Sequence, residues 1–205
     1  MNFPARDLRG PSEAPVALHD RAMDNLRYIR ETMERSSSFT HVSGIGGVLM
    51  GVVAIGAAGL AWSASTIAEW LTIWLVSAGL SLSIAVLSLA RKSHAEGLTL
   101  LTGPGRKFAW SVIPPLAAGG VLTVGLVRAG AVDMLPGMWL LLYGTAVVSG
   151  GSHSVRPVPF MGAAFMATGV TALLLPATWG TASMAAGFGG LHILFGAVIW
   201  KKHGG

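Results

Sequence analysis

A search for chemistry in this chain begins at one histidine. His192 stands inside an apolar run that reaches Trp200 and is the only ionisable residue well within such a run. An ionisable side chain at bilayer depth is costly to bury, so it points first to function. Two roles fit it. One is a proton-sensitive or ligand-binding group beside a path. The other is a neutral ring hydrogen-bonded across a helix interface. No Asp or Glu accompanies it to act as the carboxylate of a proton- or sodium-coupled transporter. Four more histidines, His41, His94, His153 and His203, fall at the ends of apolar runs on one side of the expected topology. Four imidazoles together could gather a transition metal or a haem iron. No two of them have ligand spacing, however, and no carboxylate pattern supports them. The chain has no cysteine, which removes disulfides and thiolate ligands. No Ser/His/Asp set, acidic pair or nucleotide loop occurs either. The expectation is a protein that is not an enzyme and carries no cofactor.

The elements that hold His192 are legible from composition. Hydrophobic residues make up 52% of the 205 and charged residues only 11%, against about 25% charge in a soluble domain; mean hydropathy is +0.62. The expected fold is all-α and integral to a membrane, with six spanning helices. Residues 1–16, with Pro4, Pro11 and Pro15, read as a flexible leader. Residues 17–36 read as an amphipathic cytoplasmic helix. Residues 40–92 form a first hairpin, 93–107 a connector with a turn at Gly103-Pro104-Gly105, 108–151 a second hairpin and 157–202 a third. The second helix is expected to stop at Arg91-Lys92, and Pro114-Pro115 is expected to kink the third. Gly47, Gly51, Gly56, Gly120, Gly125, Gly162, Gly169, Gly187, Gly190 and Gly196, at near-helical spacing, read as packing positions that let helices approach closely. With no cleavable signal in view, the first span is expected to direct insertion.

Three pseudo-equivalent hairpins are suggested by recurring words. Gly46-Gly47-Val48-Leu49 returns as Gly119-Gly120-Val121-Leu122. Trp74-Leu75 stands five residues before Gly79, as Trp139-Leu140 does before Gly144. Orientation follows from counting charge by side. Thirteen of the fourteen Lys and Arg residues fall on the side of the two termini, and only Arg128 on the other. The positive-inside rule places both ends in the cytoplasm, in a bacterial inner membrane. It also accounts for the net charge of +5 without a nucleic-acid partner. Trp62, Trp70 and Trp179 would mark the outer interface, and Trp110 and Trp200 the inner one.

The N-terminal helix offers the second candidate site. Leu18, Ala22, Leu26, Ile29 and Met33 recur at helical spacing and share one face. Charges of both signs cover the rest, so a purely electrostatic lipid anchor fits poorly. This face would lie on the bilayer or dock a cytoplasmic protein partner or a second copy.

The cadence Gly162, Gly169, Leu173, Pro176, then Gly187, Gly190 and Gly196 resembles the short hairpin repeats of HdeD-like acid-resistance membrane proteins. The likeness is clearest over residues 158–200, weaker over 44–90 and poor in the middle, where Pro114-Pro115 departs from it. Over His19 to Arg35 and Gly187 to Gly205 the chain is also similar to uncharacterised bacterial six-span membrane proteins. The resemblance implies a non-enzymatic protein of stress or envelope homeostasis and brings no catalytic residues with it. A small transporter, channel or lipid-binding protein with a path near His192 is the main alternative, and a haem or metal protein the next.

Overall fold

The computed structural model describes residues 15–36, 43–95, 103–152 and 154–203. Two units separate within it, residues 1–37 and 38–205. The first contains one described helix, α1 (Pro15–Ser36). Ala22, Leu26, Ile29 and Met33 are exposed along it; the side chain of Leu18 and the leader at 1–14 lie outside the described residues.

The described elements of the second unit are all helices. Its elements are α2 (Gly44–Trp62), α3 (Ile67–Ala95), α4 (Gly103–Arg128), α5 (Leu135–Gly151), α6 (Pro157–Leu174), α7 (Gly180–Met184) and α8 (His192–His203). Short 3-10 turns precede α5 and α7, and a π-helical segment, Ala185–Leu191, joins α7 to α8. Among the described residues six stretches are long and apolar enough to cross a membrane, the sixth being Ala177–Lys202. Each is near or above the roughly 20 residues that a bilayer core requires.

Two helix ends differ from expectation. Helix α3 continues past Arg91-Lys92 to Ala95. A basic pair can stay helical, because its stems reach the interface from the last turn, where cations also suit the helix dipole. Gly103-Pro104-Gly105 is the first turn of α4 rather than a loop. Proline is tolerated there because its missing N–H would have no partner in any case. The same helix runs on through Pro114 and Pro115.

The spans order themselves by packing. Helix α3 lies on α2; α2 lies along α8 and the π segment; α6 lies along α5; and α4 packs on α5. The first two hairpins therefore have legs that pack on each other. In the third, α6 lies mainly along α5 and α8 mainly along α2. Outward faces of α3 and α4 carry exposed apolar residues such as Leu80, Val86, Val121 and Val124, as lipid contact requires. Span hydroxyls are closed internally. Thr72, Ser77, Ser83, Thr145 and Thr168 each donate to a carbonyl one turn back, so no O–H in this group is left bare in hydrocarbon.

Candidate functional site

Glycine faces bring pairs of helices into close backbone contact in this unit. On α5, Gly137 and Gly144 are seven residues apart, and on α6 so are Gly162 and Gly169. They meet in antiparallel pairs. A Cβ on Gly162 would lie 2.6 Å from the Val148 nitrogen and 2.8 Å from the Gly144 carbonyl oxygen. A second crossing repeats the arrangement with Gly44 and Gly51 on α2 against Gly196 and Gly189 of the sixth span. Of the glycines read as packing residues, Gly47, Gly51, Gly162, Gly169, Gly187 and Gly196 serve that purpose, whereas Gly56, Gly120 and Gly125 have open space where a side chain would go.

Between these crossings lies a cluster of four rings: Tyr143 from α5, Phe165 from α6, Phe188 from the π segment and His192 at the start of α8. Their centroids are 4.8 to 6.2 Å apart, mostly tilted or edge-on, the arrangement that ring quadrupoles favour. Phe165 is fully buried and His192 is 4% exposed. Both ring nitrogens of His192 are engaged. Nδ1 lies 2.9 Å from the Phe188 carbonyl oxygen, which can only accept, so Nδ1 carries the proton. In the neutral ring Nε2 then accepts from the Tyr143 hydroxyl at 2.7 Å. His192 is thus a ring bonded across a helix interface. Tyr143 was not singled out in the sequence, although a phenol in mid-span is a signal of the same kind as a lone histidine.

A second aromatic group sits at the end of the bundle that bears the α2–α3 and α4–α5 turns. Trp70 stacks on Trp139 at 5.7 Å. The Trp70 indole N–H donates to Thr181 at 2.9 Å and the Trp139 indole N–H to Thr123 at 2.8 Å. The stack therefore ties α3, α4, α5 and α7 together. Trp62, Trp110, Trp179 and Trp200 are exposed near helix ends, as interfacial tryptophans are. Trp70 is instead half-buried in this clasp. Trp74, one turn on, packs in the core against α2, and among the described residues its indole N–H is a buried donor without an acceptor.

Among the described residues no group of three or more His, Cys, Asp or Glu could hold a metal ion. His94 is exposed at the end of α3; His41 and His153 lie outside the described residues, as does the side chain of His203. A shallow open depression of about 560 Å³ lies between Leu60 and Thr72. Its one carboxylate, Glu69, accepts from the Ser65 and Thr66 N–H groups while Thr66 Oγ1 accepts from the Glu69 N–H. This is a capping box that starts α3. No protein-family model, curated protein or solved structure matches the chain.

Proposed function

We propose that this chain is a non-catalytic, multi-pass protein of a bacterial inner membrane that acts by association with a cytoplasmic partner or with itself, in the stress or envelope role its glycine cadence suggests. Both termini lie in the cytoplasm in this reading. It is supported by charge placement: among the described residues, Arg91, Lys92, Arg106, Lys107, Arg156, Lys201 and Lys202 fall at one end of the spans, and Glu69, Arg128 and Asp133 at the other. The three-hairpin repeat belongs to the same proposal.

The observation that carries it is the filled space around His192. Rings pack against rings there, and both the phenol and the imidazole have protein partners. A group so enclosed favours a scaffold or sensor over a conduit. The docking element is α1, through Leu18, Ala22, Leu26, Ile29 and Met33.

The test is cross-linking of the full-length protein in its native membrane. A discrete adduct, with a partner or a second copy, is expected for the natural chain and is lost on Leu26→Glu with Ile29→Glu. An adduct unchanged by that pair of substitutions would refute the docking role. Ligand-dependent flux in proteoliposomes that falls with His192→Ala would favour the transporter alternative instead, and a visible absorption band from bound haem the metal alternative.

A further inference from the structure

The sixth span leaves α-geometry in its middle, at Ala185–Leu191. A π turn holds one residue more than an α turn, so every residue beyond it is phased as if the chain were one residue shorter. Helix α8 shows what that phase achieves. Gly196 faces α2 at a point where a Cβ would lie 2.7 Å from the Val48 nitrogen and 2.9 Å from the Gly44 carbonyl oxygen. If residues 185–191 became α-helical, α8 would turn by about 100° and Phe195 would arrive where Gly196 now is. No side chain fits there unless α2 and α8 move apart. The π segment and the closed α2–α8 crossing therefore require each other.

The hydrogen bonds around Phe188 depart from the α pattern. A regular helix would give the Phe188 carbonyl to the backbone N–H of His192, four residues on. Here that N–H bonds the Gly189 carbonyl, three residues back, and the His192 ring bonds the Phe188 carbonyl. The other ring nitrogen is held by Tyr143 from α5. A residue of a neighbouring helix thus keeps the imidazole on the acceptor that the α register would need. Three glycines, Gly187, Gly189 and Gly190, lie within the segment, and a Cβ on Gly190 would meet only the Ala185 carbonyl oxygen, at 4.0 Å.

We propose that the sixth span is a two-register helix: Tyr143, acting through His192, latches the π register that closes α8 on α2, and release of that hydroxyl lets the segment become α-helical and turns His192–His203 by one residue. The device links the ring cluster inside the bundle to the Lys201-Lys202 end, and it does not depend on the partner reading above.

The natural chain has no cysteine, so single thiols report cleanly. Ile199 is 2% exposed and its neighbour Trp200 is 52% exposed. A one-residue turn gives residue 199 the exposure of residue 200 and residue 198 the burial of residue 199. Val198→Cys and Ile199→Cys are each placed in the full-length protein together with Phe195→Gly, which admits the α register at the crossing. Labelling with a membrane-permeant maleimide is compared with and without Tyr143→Phe. With Tyr143 present, the thiol at 199 is protected relative to that at 198; with Tyr143→Phe the order reverses. An unchanged order, or equal labelling of both, overturns the proposal. Deletion of Gly190 provides a second measurement, because it removes the extra residue and lets α-geometry keep the present phase. Position 199 should then stay protected with or without Tyr143→Phe. Labelling that still reverses in the deletion would also overturn it.

Discussion

The bundle contains two glycine crossings built to one plan and stabilised differently. In α5–α6, Gly137 and Gly144 meet Gly169 and Gly162; in α2–α8, Gly44 and Gly51 meet Gly196 and Gly189. Both pair glycines seven residues apart on antiparallel helices, so both bring backbone against backbone. The α5–α6 crossing joins two uninterrupted helices whose phase is set by their own α-geometry. The α2–α8 crossing joins a regular helix to one that has just passed through a π segment, and its phase is set by Tyr143 and His192. The same close-packing chemistry yields a fixed joint in one place and a conditional joint in the other.

The largest expected effect lies in the fixed joint. Gly162→Leu would drive a side chain into the Val148 and Gly144 backbone and should destabilise by roughly 3 kcal/mol or more, at the upper end of overpacking costs. Loss of monodisperse protein on size exclusion in mild detergent, or a large fall in thermal midpoint, checks it. Gly196→Ala in the conditional joint meets backbone at similar distances. It should cost less, roughly 1–3 kcal/mol, because α8, whose phase rests on the Tyr143–His192 contact, can shift away from α2. Equal thermal losses for alanine at 162 and at 196 would erase the distinction between the joints.

Smaller effects sharpen the same contrast. Tyr143→Phe removes one interhelical hydrogen bond within the span, worth about 0.6 kcal/mol on average and up to about 1.7. Its mark is loosening of the α2–α8 crossing with α5–α6 unchanged, read by hydrogen exchange of the two pairs of helices. Gly56→Ala and Gly120→Ala act where open space surrounds the backbone. Each should stabilise by up to about 1 kcal/mol through helix propensity alone, visible as a small rise in midpoint.

The six spans were legible because apolar length and the paucity of charge leave few alternatives. Glycine spacing correctly marked Gly162, Gly169 and Gly196, yet the same composition also covers Gly56 and Gly120, which face outward; composition does not say which side of a helix meets a neighbour. Helix ends were misread at Arg91-Lys92 and at Gly103-Pro104. At the first, a basic pair ends the apolar run without ending the helix, since Arg and Lys are good helix formers; at the second, Gly and Pro occupy first-turn positions where they are harmless. His192 stood out as a lone imidazole. Its partner Tyr143 lies 49 residues away and becomes adjacent only through packing. The π segment left no trace of its own, since its Gly187, Gly189 and Gly190 look like any other close-packing run.

Everything described depends on a chain that crosses hydrocarbon six times. The direct measurement is sidedness of single thiols in sealed vesicles, using the cysteine-free background and an impermeant maleimide. Ser65→Cys, Ala129→Cys and Thr178→Cys should label together from one face, with Arg106→Cys and Lys201→Cys reached only from the other. Any division among the first three, or labelling of the two groups from a common face, would contradict the account.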